Sequence, residues 1–254
     1  MDHRTKARRA RLRLVVLGTA AAVVLAGGGL LTARSLSGGD SAAPRAKPSP
    51  EQSASSPAPG GKKYAAYTPA TARRVPLLKP RSSRNGIGTG FPHSPLGATS
   101  AAVSYWQDLS LIDDQAAGRQ LRTIAASPSD PAVRNGVSEV RKVREGVGLP
   151  PSGGPPNGLA FTTNVKAVLT RSLDTEGDVV QVWMVFDRYA TSPKKGTDDQ
   201  PLRDEVDNLI VTWKDGDWKV TQERKWVRKS TGPRSYDPHS TYAFRDGWRE
   251  VTDG

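Results

Sequence analysis

LIVTWKDGDWKV, residues 209–220, carries the local signal from which the fold can be built outward. An apolar strand runs into Asp215-Gly216, a pair that tolerates two successive positive φ angles and closes a two-residue hairpin. The turn sets the register: Lys214 faces Asp217 and Trp213 faces Trp218. A cross-strand aromatic pair of this kind contributes about 0.2–1 kcal/mol beyond an alanine pair. Upstream, runs rich in Val, Thr, Phe and Trp predict strands at 159–173 and 178–190 joined by a turn at Asp174–Asp178, and the hairpin itself predicts strands at 206–214 and 217–228. Val180, Val182, Met184 and Phe186 alternate along the second run and form one candidate core face.

The segment before these strands has helical spacing. Ser94 can cap a helix whose first turn tolerates Pro95, and Ala98, Ala102, Tyr105, Leu109 and Ile112 form a stripe, with Trp106 beside it. A shorter helix is expected over 116–126. Asp130 and Pro131 then provide a second cap and first-turn proline, and Val133, Val137, Val140 and Val147 lie near one face of a third helix that ends between Gly146 and Pro150. Helices followed by an antiparallel meander define an α+β class. The expectation is three helices packed on a curved four-stranded antiparallel sheet.

The chain has 254 residues, a formal charge of +12 and no cysteine, which excludes disulfide frameworks, thiolate metal sites and thiol nucleophiles. The charge is unevenly distributed. Residues 1–86 carry 16 basic and 3 acidic side chains, whereas residues 87–254 carry 21 and 22. A near-neutral domain lacks the footprint of a folded nucleic-acid binder. Leu14–Ala33 is uncharged and long enough, at about 30 Å, to cross a hydrocarbon core. Basic residues concentrate before it, so the expectation is a cytoplasmic tail at 1–13, a transmembrane signal anchor at 14–33 and an extracytoplasmic remainder on the cell membrane. A cleaved signal peptide is the rival reading. Gly18, Ala22 and Ala26 place small side chains on one face of that segment, where a second copy could pack. Residues 34–86 read as a disordered, Pro/Ser/Ala-rich basic linker, followed by a domain at 87–228 and an aromatic-containing tail at 229–254. No acid occurs between Glu51 and Asp108. Lys62, Lys63, Arg73, Arg74, Lys79, Arg81 and Arg84 therefore form a candidate arm for anionic lipid, wall polymer or DNA, against the alternative of a solvated tether.

The order of elements resembles the cystatin-like cone of the nuclear-transport-factor-2-like fold. LIVTWKDGDWKV resembles the terminal hairpin of membrane-anchored actinobacterial members. Gly90-Phe91-Pro92, Gly97-Ala98 and Ala101-Ala102 resemble the opening of an actinobacterial family linked to mobile elements and conjugal transfer. Similar domains occur in inner-membrane scaffold subunits of type IV secretion systems. The resemblance implies an assembly protein with partners in an envelope or transfer complex; the long linker and the tail depart from the secretion subunits.

Catalytic candidates are sparse. His3, His93 and His239 fall outside the predicted strands, and no phosphate loop, nucleophile elbow, metalloprotease or calcium-loop motif occurs. Asp198, Asp199, Asp204, Glu205 and Asp207 read as a solvated loop and strand entry. Trp183, Phe186 and Asp187 are the residues expected to line a pocket if the cone takes a ligand, with Asp187 as its carboxylate or as an ordinary strand-end ion pair. No catalytic residue, metal or cofactor is assigned. The leading expectation is therefore a membrane-anchored scaffold acting by protein–protein contact, and the alternative is a small-molecule-binding or enzymatic cone.

Overall fold

The computed structural model describes residues 68–193, 196–198, 201–233 and 236–252. Strands β1 (Val75–Pro76), β2 (Ser82–Arg84) and β3 (Ile87–Thr89) precede helices α1 (Pro95–Asp108), α2 (Asp114–Ile124) and α3 (Pro131–Gly146). Then come β4 (Ala160–Ser172), β5 (Val179–Ser192), β6 (Gly196–Thr197), β7 (Leu202–Lys214), β8 (Asp217–Val220), α4 (Arg224–Val227), α5 (Thr241–Asp246) and β9 (Arg249–Thr252). Each of the first three helices begins at a side-chain cap. Ser94 Oγ accepts from Gly97 N, Asp113 from Gln115 N and Ala116 N, and Asp130 from Ala132 N, satisfying amides that have no partner within the helix.

The sheet is curled and mixed rather than four-stranded and antiparallel. Its order is β1-β9-β4-β5-β7-β8, with β6 added to β5 and β1 parallel to β9. The two outer strands come from sequence read as linker and tail. β9 meets the free edge of β4 through Ala167↔Glu250 and Val168↔Arg249, and Val75 of β1 pairs with Val251. The last predicted strand is also shorter, because β8 stops at Val220. Asp130 removes the chain from the ladder there: its carboxylate accepts from Thr221 Oγ1 at 2.8 Å and Gln222 N at 2.9 Å, and a helical turn follows at Arg224–Val227.

The expected membrane-spanning helix at 14–33, with its packing face Gly18, Ala22 and Ala26, lies outside the described residues. Among the described residues no helix is long and apolar enough to cross a membrane. α3, the longest of them, has 16 residues, spans about 24 Å and carries Arg134, Glu139, Arg141 and Lys142. The single-pass topology and extracytoplasmic placement are withdrawn on that finding.

Two cores hold the domain together. On one face of the sheet, α1 packs Ala98, Ala102, Tyr105 and Trp106 against Val182, Met184, Phe186 and Val211. α1 is buried on more than one stripe, because the β2–β3 segment covers its other side. Leu78 N donates to Ser100 Oγ at 2.9 Å, and a Cβ on Gly88 would stand 2.8 Å from Ser104 Oγ. Thr99 and Ser100 turn their hydroxyls back to the Pro95 and Leu96 carbonyls, which makes these polar residues admissible in the core. Gly97 is required, since a Cβ there would lie 1.9 Å from the Pro92 carbonyl oxygen. Asp215 and Gly216 have φ of 53° and 77°, and Trp213 faces Trp218 with ring centroids 5.5 Å apart. Trp218 Nε1 donates to the Pro92 carbonyl and Tyr105 Oη donates to the Trp218 carbonyl, fastening the entry to α1 onto this hairpin.

On the opposite face, Ala167, Leu169 and Val185 are covered by Ala243, Phe244 and Trp248 of the tail. Phe244 and Trp248 are fully buried, and Tyr236 packs edge-on to the Phe244 ring and tilted against that of Trp248. The sheet is thus an inner layer between α1–α3 and the C-terminal segment.

Candidate functional site

The curled sheet does not bring the predicted pocket trio together. Phe186 faces α1, with its ring 5.3 Å from that of Trp106, whereas Trp183 packs in the core on the opposite face. Asp187 occupies a bulge between Phe186 and Arg188. Its Oδ1 accepts from Asp204 N at 2.9 Å and lies 2.8 Å from Lys166 Nζ. Burial is the largest influence on this carboxyl and pushes it up, but the Lys166 and Asp204 hydrogen bonds, with the Lys166 and Arg203 charges, together hold it below the usual range. Asp187 thus forms an ion pair with Lys166 at a bulge within β5, not at the strand's end.

A different set of residues meets on the α1-facing side: Trp106, Phe186, Arg188 and Asp207. The Arg188 guanidinium lies 4.9 Å from the Phe186 ring centroid and 5.7 Å from that of Trp106, and its Nε donates to Thr163 Oγ1 at 3.1 Å. Asp207, read from sequence as part of a solvated acidic cluster, is buried and accepts from Asn208 N at 2.7 Å. Desolvation pushes its carboxyl up to about 7 against the pull of that amide and of Arg188. Desolvation likewise lowers Arg188 to about 10. Trp106 Nε1 is buried without a hydrogen-bond partner. The cluster can store a proton near neutrality, and all four side chains are nearly closed to solvent. Its one sequence signal was the alternation of Asp207 with Leu209 and Val211, which places the aspartate on the core face.

The candidate polyanion arm divides into three. Lys62 and Lys63 lie outside the described residues. Arg73 and Arg74 are exposed beside β1, and Arg74 Nε is 2.9 Å from Glu250 Oε2. This pair borders a cleft of about 480 Å³ also lined by Lys166, Asp204 and Tyr236. The cleft opens where a bulge at Lys166 ends the pairing of β4 with β9. Lys79, Arg81 and Arg84 belong instead to the β2–β3 segment, whose turn is Asn85-Gly86. That turn is fastened to α2: Asn85 Nδ2 donates to Thr123 Oγ1 at 2.9 Å, and Gln120 Nε2 reaches the Gly86 carbonyl.

α2 brings further charge to the same neighbourhood. Arg119 and Arg122 are exposed on it, and Arg122, Arg134 and Arg141 border a groove of about 630 Å³ between α2 and α3. The floor includes Val133, Val137, Pro128 and Pro131. The helices meet at Gly118 and Val137, where even a Cβ on Gly118 would find only ordinary van der Waals contact, 3.5 Å from Val137 Cγ2 and 3.6 Å from the Arg122 guanidinium. Among the described residues, Lys79, Arg81, Arg84, Arg119, Arg122 and Arg134 form no ion pair. Arg141 uses only Nε, 3.0 Å from Asp114 Oδ2.

The groove walls are held firmly. Asp114 is buried and accepts from Ser152 Oγ and Gly153 N, each at 2.9 Å. Burial, its largest influence, pushes the carboxyl up, but the Gly153, Arg141 and Ser152 hydrogen bonds and the Arg141 charge bring it below the usual range. The ionised carboxylate therefore anchors Arg141. Arg144, buried at the end of α3, donates to the carbonyls of Pro150, Ile112, Gly154 and Ser152, tying the 149–155 loop to both helices. Asp130, also in the groove, is occupied by Ala132 N, Thr221 and Gln222.

No protein-family model matches the chain, and neither a curated protein nor a solved structure matches it.

Proposed function

We propose that this chain is an assembly module that acts by binding a protein partner through its α2–α3 face, without catalysis of its own. The observation that carries this reading is the groove with an apolar floor and three arginines at its border, beside the unpaired cations of the β2–β3 segment. Both faces of the sheet are already covered by the protein's own helices and tail, which directs recognition to the exterior. The resemblance of the Gly90–Ala102 opening to conjugal-transfer proteins supports a multiprotein transfer complex as the setting. Cross-linking in the native host, followed by capture of the tagged full chain and mass spectrometry, tests the proposal. Proteins recovered reproducibly with the wild type should be lost with the double variant Arg122→Glu/Arg134→Glu. An unchanged set of captured proteins contradicts it.

A second reading, a small-molecule site on the α1-facing side, is favoured by Asp207 and by the unpartnered Trp106 Nε1. It requires a ligand whose stabilisation of the wild type in thermal melts disappears in Asp207→Asn.

A further inference from the structure

The α2–α3 groove has a chemistry that selects among partners. Its borders carry cations with unused donors, its floor is aliphatic, and its one carboxylate, Asp130, has its oxygens turned to internal donors. A ligand that satisfies both parts needs carboxylates along its edge and an apolar side chain between them. We infer that the groove receives an acidic amphipathic segment of the partner protein, with an aliphatic or aromatic anchor over Val133 and Val137 and its carboxylates on Arg122, Arg134 and Arg141. This deepens the assembly reading and rests on it.

Charge complementarity excludes residues 1–67 of the chain as the occupant. Residues 1–67 contain only Asp2, Asp40 and Glu51 as acids among many Lys and Arg, so they are repelled by the same arginines that attract the proposed segment. Nucleic acid is the weaker fit. A phosphate backbone leaves the Val133, Val137, Pro128 and Pro131 floor unused, and the domain beyond residue 86 has no net positive charge to gather a polyanion. Guanidinium groups bind carboxylates bidentately, and a desolvated apolar centre ringed by polar contacts is the usual arrangement of an interface anchor.

Fluorescence anisotropy with the purified full chain tests the inference. The probe is a labelled 16-residue helix-forming peptide with Glu on one face and Leu on the other. The controls are a scramble of the same composition and a duplex DNA of random sequence. Expected are binding of the amphipathic peptide above the scramble, a loss of about tenfold or more in Arg122→Glu/Arg134→Glu, and a comparable loss in Val137→Asp. Among the described residues Arg122 and Arg134 make no side-chain polar contact, so that double variant should keep the wild-type melting curve and serve as the folded control. Equal binding of peptide and scramble, or an unchanged affinity in the double variant, overturns the inference. So does preferential binding of the duplex abolished by the same reversal. If the peptide result is negative while the double variant still loses its captured proteins in cells, the acidic segment is wrong and the assembly face stands. If both are unchanged, both fail.

Discussion

Asp207 shows how far one residue can depart from its sequence neighbourhood. It lies among Asp204, Glu205 and other acids, yet it is turned to the core face of β7, where desolvation raises its carboxyl from 3.8 to about 7. Between these values the folded protein holds a proton that the unfolded chain releases. Stability contributed by this group therefore falls as pH rises from about 4 to about 7 and is level above that. Asp207→Asn removes the titration. We expect the variant to gain on the wild type, by an amount on the order of a few kcal/mol, as pH is raised from 4.5 to 8. Urea melts of both proteins across that range measure the difference, and a constant offset would show that Asp207 is not desolvated. Asp187, only twenty residues earlier and the more conspicuous candidate in sequence, is committed to Lys166 and the Asp204 amide.

Among the elements, those with local punctuation were legible. Ser94-Pro95 and Asp130-Pro131 mark the starts of α1 and α3, and Asp215-Gly216 sets the register of β7 and β8, because caps and two-residue turns are decided by a few adjacent residues. Asn85-Gly86 carries the same kind of signal. It was hidden by the proline-rich composition around it, and the boundary drawn after residue 86 falls within that turn. The outer strands β1 and β9 were not legible, since two and four residues establish no period and their partners are distant in sequence. One clue to the second core was present: VVQVWMVF at 179–186 is apolar on both faces, as expected of a strand covered on both sides. The tail supplies that cover. Trp248→Ala should cost about 3–5 kcal/mol, as loss of a fully buried aromatic does, and thermal or urea denaturation reads it. A melting curve identical to wild type would mean that the tail is not docked on β4 and β5.

At the scale of the molecule, the net charge conceals the arrangement that matters. Residues 87–254 sum to nearly zero, and this balance excludes a folded polyanion binder when charge is read as a total. In three dimensions, Asp114 and Asp130 are buried in capping, ion-pair and loop contacts, while Arg119, Arg122 and Arg134 remain exposed, so the α2–α3 face is more basic than the sequence window around it. The groove depends on two helices meeting at Gly118 and Val137, a juxtaposition that no motif announces. Two further corrections belong at this scale. The sheet gains strands from both flanks, and no described helix crosses a membrane. Recognition is therefore argued from the folded surface of the described residues.

The most direct test of that account is site-specific photocross-linking in the native host. A photoreactive residue would replace Ser138, exposed at the α2–α3 groove, or Glu176, exposed in the β4–β5 turn. Covalent adducts to another protein from position 138, with few or none from position 176, are the result predicted here. Adducts from 176 and none from 138, or equal yields from both, would contradict the α2–α3 face as the site of assembly.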